Sequence, residues 1–310
     1  MPNALLVVAV LTYVAWGTAF APVVNASVIG FLVFWFWWAS HGMSPRRKMQ
    51  IASFAEPREG VIHATFSSDV SKVLKWIEEE RKRTKEHITV THVVGKLAAL
   101  ALKDCPQLTG RIVLDRFVPH PTIDISFLTA IEGGRNLAKV KVTSIDSKSV
   151  SQIANELSSG SQRLRTGKDE NFKKTSGPLQ FLPVWLVRIV LEVVGYLAGA
   201  LGVDFPPLGV EAFPFGSCVI TSVGMLGIDH AFAPFTPFCR VGMLLLIGNV
   251  KDGVIVENGE AVVRPKLKIT ATLDHRFVDG SQAAIMVKRM KEAFDDPEKY
   301  LSSSSSSCAE

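Results

Sequence analysis

The chain has 310 residues, of which 47% are hydrophobic, and it carries a formal net charge of +5. This length accommodates one large domain or two small ones. The basic run Arg81-Lys82-Arg83 has no aromatic residues interleaved with it, so we interpret it as a solvated helix face and expect no nucleic-acid partner. The four cysteines lack metal-ligand spacing, so neither a metal site nor a disulfide framework is expected.

Residues 4–40 contain no charged side chain. A continuous helix of that length would rise about 55 Å, whereas the hydrocarbon core of a bilayer is about 30 Å thick. The segment therefore predicts a transmembrane hairpin of two short spans, about 4–20 and 24–40, with a break near Pro22 and Asn25. A single span in the second half is the alternative. A cleaved signal peptide and a buried helix of a larger assembly are two further interpretations.

Three tryptophans near the end of this segment, Trp35, Trp37 and Trp38, have the pattern of an interfacial aromatic belt, and the cluster Arg46-Arg47-Lys48 follows at once. Positive charge beside a span favours the cytoplasmic, matrix or stromal side of a membrane. Residues 1–48 are therefore predicted to anchor the protein in a lipid bilayer, with the rest of the chain on that side.

The following residues alternate strand and helix patterns, which predicts an α/β domain. Strands are predicted at 60–66, 122–131, 137–145, 216–223, 241–250 and 266–273. A first helix carries Val70, Val73, Leu74 and Ile77 on one face, two more are predicted at 91–105 and 148–165, and a last helix is lined by Ala283, Met286, Val287, Met290 and Phe294. Asp252-Gly253 and Asn258-Gly259 have the composition of tight turns. The serine run within 301–310 predicts a disordered tail.

The segment TLDHRFVDG, residues 272–280, places a histidine four residues before an aspartate and ends on glycine. It resembles the HxxxDG signature of the dihydrolipoyl acyltransferases, the catalytic cores of 2-oxo acid dehydrogenase complexes, and of chloramphenicol acetyltransferase. THVVGKLAALALKDCPQLTGRI and FGSCVITSVGMLGIDHAFAPFTPFCRVGMLLLIGNV resemble two further segments of that family, in the same order. The resemblance implies a two-layer α/β fold of the chloramphenicol acetyltransferase type and a catalytic domain over residues 49–300.

The resemblance also implies the chemistry of acyl transfer between thiols. A base removes the proton of the attacking thiol, and a donor stabilises the oxyanion of the tetrahedral intermediate. The base would be His275, the hydroxyl donor Thr221, where serine is usual, and the residue that organises the site Asp279. Ser222 is the alternative donor, and Gly280 permits the turn into the last helix; both are also candidates for contacts to a cofactor. Without the resemblance, His275 would be interpreted as an ordinary residue at a strand end.

The family builds trimers with each active site between two subunits, so the resemblance implies a homotrimer, with a larger membrane or dehydrogenase complex as a further partner. The acyl group would come from coenzyme A or from a lipoyl group supplied in trans, because the domain follows the apolar leader directly and leaves no room for lipoyl domains. The alternative function is a non-catalytic, membrane-anchored trimeric scaffold.

The segments that resemble the family lie on both sides of an insertion at about 174–214. It contains a second apolar stretch, 179–203, in which Arg188 and Glu192 lie four residues apart. A membrane crossing there would separate two halves of one domain, and charge is costly in the centre of a bilayer. We therefore expect a helix that lies on the bilayer surface or packs on the core of the domain.

Overall fold

The computed structural model describes residues 21–40, 61–113, 116–131, 134, 136–177 and 181–302. Strands within these ranges build one mixed six-stranded sheet, in the order β1-β8-β7-β6-β4-β5, and a separate hairpin of β2 and β3. The strands are β1 (Val61–Asp69), β2 (Gly110–Val113), β3 (Arg116–Pro119), β4 (Ile125–Ile131), β5 (Asn136–Val142), β6 (Cys218–Ser222), β7 (Met243–Glu257) and β8 (Glu260–Asp274).

One helix precedes the first strand, and the others lie between the strands or after the last one. They are α1 (Ala21–Ser40), α2 (Ser71–Thr84), α3 (Val90–Asp104), α4 (Val150–Arg165), α5 (Glu170–Ser176), α6 (Val184–Gly199), α7 (Gly280–Asp295) and α8 (Pro297–Leu301). β6 runs parallel to both of its neighbours, β4 and β7, whereas the other pairs of the sheet are antiparallel. A parallel neighbour requires a long crossover connection, and residues 223–242 provide the one between β6 and β7. The segment with α4, α5 and α6 connects β5 to β6, which lie on opposite sides of β4.

The sheet has two faces with different coverings. On one face α2, α3, α4 and α7 bury the main hydrophobic core, to which the strands contribute alternate residues such as Ile220 and Leu245. The neighbouring residues Val219 and Leu244 point to the opposite face, where a smaller cluster lies under the side chain of Phe238. This period of two, which is characteristic of strands, decides which side chains lie on the face opposite α2, α3, α4 and α7.

Side-chain hydrogen bonds cap the first residues of two helices, α3 and α4. Ser149 Oγ accepts a hydrogen bond from the Gln152 N–H at 3.2 Å, and Gln152 Oε1 accepts one from the Ser149 N–H at 2.8 Å, which closes a capping box before α4. At α3, the Thr89 N–H donates to Nδ1 of His92 at 3.2 Å. The predicted α/β fold is confirmed. The predicted strands and helices of this domain recur close to their expected bounds, except that β7 ends at Glu257 and not at 250, and β8 begins at Glu260 and not at 266.

One of the two predicted turns is wrong. β7 and β8 form a single long hairpin that closes at Asn258-Gly259, where both residues have positive φ, 52° and 86°. The other pair, Asp252-Gly253, lies inside β7, and Gly253 pairs with Arg264 of β8. A hairpin needs one reversal of direction, so cross-strand pairing kept the Asp-Gly step extended although its composition suits a turn.

The predicted transmembrane hairpin, and with it the location on the positive side of a membrane, is also corrected. The first predicted span, 4–20, falls outside the described residues, as do 41–60 and 303–310; the second coincides with α1. Among the described residues there is no helix that has both the length and the hydropathy to cross a membrane. The absence of charge was an insufficient criterion, because an uncharged run is not uniformly apolar: Asn25 and Ser27 lie within α1.

The insertion forms a helix that packs on the domain. The buried residues of α6 are Val187, Gly195, Ala198 and Gly199. A Cβ atom at Gly195 would lie 2.9 Å from the Cβ of Phe238, so the glycine permits close contact between α6 and the loop before β7. These contacts favour the second of the two arrangements expected for this segment, a helix packed on the core.

Candidate functional site

The HxxxDG segment occupies the turn between β8 and α7. His275 follows the last residue of β8 directly, and its side chain is exposed. The imidazole ring makes no hydrogen bond within the described part of the chain. An exposed imidazole at the end of a strand is free to meet a substrate or a second protomer.

Asp279 is the N-cap of α7. One of its carboxylate oxygens accepts hydrogen bonds from the N–H and the hydroxyl of Ser281 at 2.8 and 2.7 Å. The Asp279 N–H donates to Oε1 of Gln282 at 3.0 Å, which completes a capping box. The hydrogen bond from the Ser281 hydroxyl is the main cause that lowers the pKa of Asp279, and the charge of His275 adds to it. Asp279 therefore orients the turn that presents His275, and its carboxylate is charged at neutral pH.

Gly280 is the first residue of α7. It has no positive φ, and a Cβ atom at this position would meet nothing within 4 Å. The turn therefore does not require glycine for backbone reasons, contrary to the role expected from the sequence. The open space leaves room for a ligand or a partner next to the helix N-terminus.

Thr221 and Ser222 lie at the end of β6 and point to opposite faces of the sheet. Ile220 belongs to the main core under the helices, whereas Val219 belongs to the cluster on the other face. Because side chains alternate along a strand, Thr221 shares the face of Val219, and Ser222 shares the helix-covered face. Of the two hydroxyls, that of Thr221 is therefore directed to the face opposite α2, α3, α4 and α7.

The structure does not bring Thr221 and His275 together within one chain. Thr221 is level with Leu246 of β7, and Leu246 is level with Thr270 of β8. His275 comes five residues after Thr270, which corresponds to roughly 16 Å along the strand, and two strand spacings add about 10 Å across the sheet. Two groups this far apart cannot act on one carbonyl.

Charged and aromatic residues that the sequence did not single out surround the turn. Arg276 donates from Nε and Nη2 to the carboxylate of Asp274 at 2.6–3.1 Å. Phe277 packs edge-on against Phe117 of the β2–β3 hairpin, with 6.3 Å between ring centroids. Arg276 was visible inside the quoted motif, two residues after Asp274, but the hairpin was not predicted, so Phe117 had no sequence signal.

Arg240 is a second cation at this end of the sheet. The Asp274 N–H donates to the carbonyl oxygen of Gly242 at 3.0 Å, so the chain before β7 lies next to the turn after β8. Arg240 comes two residues before Gly242, and the charge of Arg276 contributes to lowering its pKa after the larger effect of burial. The described part of the chain has no group of three or more side chains suited to a metal ion.

Comparison with protein families gives one match that covers most of the chain. The model of the 2-oxoacid dehydrogenases acyltransferase (catalytic domain) matches residues 40–175 and 208–302. The residues left unmatched between these ranges, 176–207, include the whole of α6. The HxxxDG turn and β6 both lie in the second matched range.

One similar protein is the dihydrolipoyllysine-residue acetyltransferase component of the acetoin cleaving system of Bacillus subtilis. It is 25% identical over 239 residues, which cover 75% of this chain and 49% of that protein. The chain spans less than half the length of each of the first three curated relatives that it matches.

Two solved structures have a similar fold. A probable dihydrolipoamide acetyltransferase from Listeria monocytogenes matches with a TM-score of 0.59 and 18% identity, over 85% of this chain and 93% of that one. The dihydrolipoamide acetyltransferase of Azotobacter vinelandii matches with a TM-score of 0.57 and 17% identity, over 78% of this chain and 84% of that one. For the Azotobacter protein, a serine, a histidine and an asparagine four positions after the histidine were investigated for their role in the catalytic mechanism.

Proposed function

The chain belongs to the family of the 2-oxoacid dehydrogenase acyltransferases through their catalytic domain, and from this premise we propose that it transfers an acyl group between two thiols. The observation that carries the proposal is the turn between β8 and α7, where an exposed histidine precedes a helix-capping aspartate by four residues. The histidine and asparagine of the Azotobacter protein have the same spacing.

In the proposed reaction His275 is the general base. Its imidazole accepts the proton of the incoming thiol as the sulfur attacks the thioester carbonyl, and it returns that proton to the departing thiolate. Imidazole suits both steps because it titrates near neutral pH. The exposed position of His275 supports this role, since the ring has to reach a thiol that arrives from solution or from another subunit.

Thr221 is the proposed donor to the oxyanion. Its hydroxyl would donate a hydrogen bond to the carbonyl oxygen as negative charge develops there, which lowers the energy of the transition state more than that of the substrate. The alternation along β6 supports Thr221 over Ser222, because Ser222 is directed to the face covered by helices. Asp279 takes no direct part and holds the turn through its cap on α7.

Each active site is proposed to lie between two protomers of a homotrimer. Within one chain, Thr221 and His275 are too far apart to act on one carbonyl. If both act in the reaction, Thr221 of one protomer has to face His275 of the next. A cyclic trimer repeats this contact three times and closes on itself.

The thiols are proposed to be coenzyme A and a dihydrolipoyl group supplied by another protein. A cleft of about 290 Å³ supports the first of these. Lys251, Lys266 and Lys268 line it together with two aspartates, and Lys268 lies two residues along β8 from Thr270, which is level with Thr221. Lys251 is paired with Asp229 in this cleft, so Lys266 and Lys268 are the residues that would complement the phosphates of coenzyme A. A larger dehydrogenase-type complex is the partner we propose for the trimer, with residues 49–300 as its catalytic domain and 174–214 as an insertion.

The test is turnover of an acyl-CoA with dihydrolipoamide as acceptor, followed by release of free CoA. We expect His275→Ala to lower the rate by roughly 10²–10⁴-fold, the usual contribution of a general base, with an unchanged circular dichroism spectrum and oligomeric state. Equal rates for the variant and the parent would contradict the role of His275.

The donor is tested in the same assay with two variants of neighbouring residues. Thr221→Val keeps the shape of the side chain and removes its hydroxyl, and we expect kcat to fall by about 10²-fold or more. Ser222→Ala is the matched control, with an expected effect below about threefold. The reverse order of effects would assign the donor to Ser222. No turnover by the parent with any acyl thioester would reject the enzyme and favour a trimeric scaffold.

A further inference from the structure

Helix α6, which the family model does not match, contacts the chain directly before β7. A Cβ atom at Gly199 would lie 3.0 Å from Cγ of Arg240 and 3.2 Å from its Cβ, so the helix packs closely on the stem of this arginine. Tyr196, one turn earlier on the same helix, places its ring 5.3 Å from the Arg240 guanidinium carbon. The inserted helix therefore determines where the Arg240 side chain lies.

The Arg240 guanidinium is held with one donor unused. Its Nε atom is buried and has no hydrogen-bond acceptor among the described residues. The charge of Glu192, one turn before Tyr196 on the same helix, acts on the guanidinium, but no carboxylate of the described residues is within ion-pair distance of it. A buried donor without an acceptor loses free energy relative to water. The backbone of Arg240 is left-handed, with φ of 55°, which is uncommon for a residue other than glycine. Strained residues of this kind concentrate at functional sites.

Arg240 lies at the same end of the sheet as His275. Met243 pairs with Leu273, and the next pair outward is Gly242 with Asp274. Arg240 comes two residues before Gly242, and His275 follows Asp274 directly. Arg276 in the same turn has the carboxylate of Asp274 as its partner, whereas the Nε donor of Arg240 is without an acceptor among the described residues.

We propose that Arg240 binds a carboxylate at the far end of the acyl group, so that the enzyme accepts acyl groups of dicarboxylic acids in preference to uncharged ones. A guanidinium offers two parallel N–H donors to a carboxylate, and a carboxylate on the Nε edge would supply the acceptor that is missing. Tyr196 is then a positioning residue. The inference rests on the proposed acyl transfer and adds the class of acyl group.

The experiment compares succinyl-CoA with butyryl-CoA, which has the same number of acyl carbons and no charge, each with dihydrolipoamide as acceptor and the full chain as enzyme. Arg240→Met keeps the length of the side chain and removes the guanidinium. We expect it to lower kcat/KM for succinyl-CoA by about 10- to 100-fold and to change that for butyryl-CoA by less than about threefold, as for loss of a charge-assisted hydrogen bond. Arg240→Lys should recover part of the succinyl-CoA rate, because the positive charge remains. The recovery should be incomplete, because the two parallel N–H donors of the guanidinium are lost.

Arg264→Met is the matched control. Arg264 also has a buried Nε without an acceptor, but it lies in the long hairpin and pairs with Glu257. The Arg264→Met substitution should change the rate with neither succinyl-CoA nor butyryl-CoA. Tyr196→Leu should raise KM for succinyl-CoA and leave kcat unchanged, and a fall in kcat for both thioesters would show a structural role instead.

Two outcomes would overturn the proposal. An equal loss for both thioesters would show that Arg240 binds the phosphates of CoA, which the two share. In that case the loss would disappear with S-succinyl and S-butyryl dihydrolipoamide as donors and pantetheine as the acceptor thiol, because none of these carries a phosphate. No preference of the parent for succinyl-CoA over butyryl-CoA would reject the carboxylate site, whereas no turnover of either would reject acyl transfer itself.

Discussion

A trimer assembled from two different inactive chains should regain activity, because Thr221 and His275 are inferred to meet across a subunit boundary. The structure places them roughly 16 Å apart along the strands and about 10 Å apart across the sheet within one chain. One variant is His275→Ala, which keeps its threonine. The other is Thr221→Val, which keeps its histidine.

The size of the recovery follows from the cyclic arrangement. In any trimer that contains both variants, three directed contacts exist, and one of them joins an intact histidine to an intact threonine. About one third of the wild-type turnover should therefore return, whichever variant is present twice. The separate variants should each retain about 1% or less, so the recovery exceeds the background by a wide margin.

The assay uses two affinity tags. The two chains are expressed together, mixed trimers are purified by both tags in turn, and CoA release is measured per trimer. Two different substitutions of His275, alanine and glutamine, provide the control, because their mixed trimers contain no complete site. A mixed trimer no more active than the separate variants would refute the shared site and the inferred facing of the two residues.

Three further predictions concern stability. Gly195→Ala should destabilise the fold by about 1–3 kcal/mol in urea unfolding, because the new Cβ would lie 2.9 Å from both Cβ and the carbonyl oxygen of Phe238; an unchanged midpoint would show that α6 is not packed there. Asp279→Ala should lower the unfolding temperature through loss of the cap on α7, and Asp279→Asn should restore most of it; equal losses in both would reject the capping role. Burial lowers the pKa of both His92 and His120 to about 4. The unfolded chain binds these protons near pH 6.5, so stability should be full above about pH 6.5 and fall towards pH 4. His120→Asn should flatten that profile, and an unchanged slope would exclude the contribution of His120.

Parts of the sheet could be predicted from local sequence patterns, and the predictions that failed have a physical cause. The strand at 216–223 and the Asn258-Gly259 turn are short-range features, so the sequence predicted them. Asp252-Gly253 has an equally good turn composition, yet it lies in β7 because pairing with β8 outweighed its local preference. Residues 4–40 predicted a membrane anchor from the absence of charge, and that criterion ignored the polar side chains within the run.

What the sequence determined by itself is the local geometry of the candidate site: His275 and Asp279 are four residues apart within one turn, where the chain sets their geometry directly. What only the tertiary structure decided is which distant groups come near it. Arg240 is 35 residues before His275 in the sequence, and it reaches the same end of the sheet because Gly242 and Asp274 pair. The separation of Thr221 from His275 likewise follows from the order of β6, β7 and β8 and from their register. Contacts between segments far apart in the chain depend on how the whole sheet pairs, and a local pattern carries no information about that pairing.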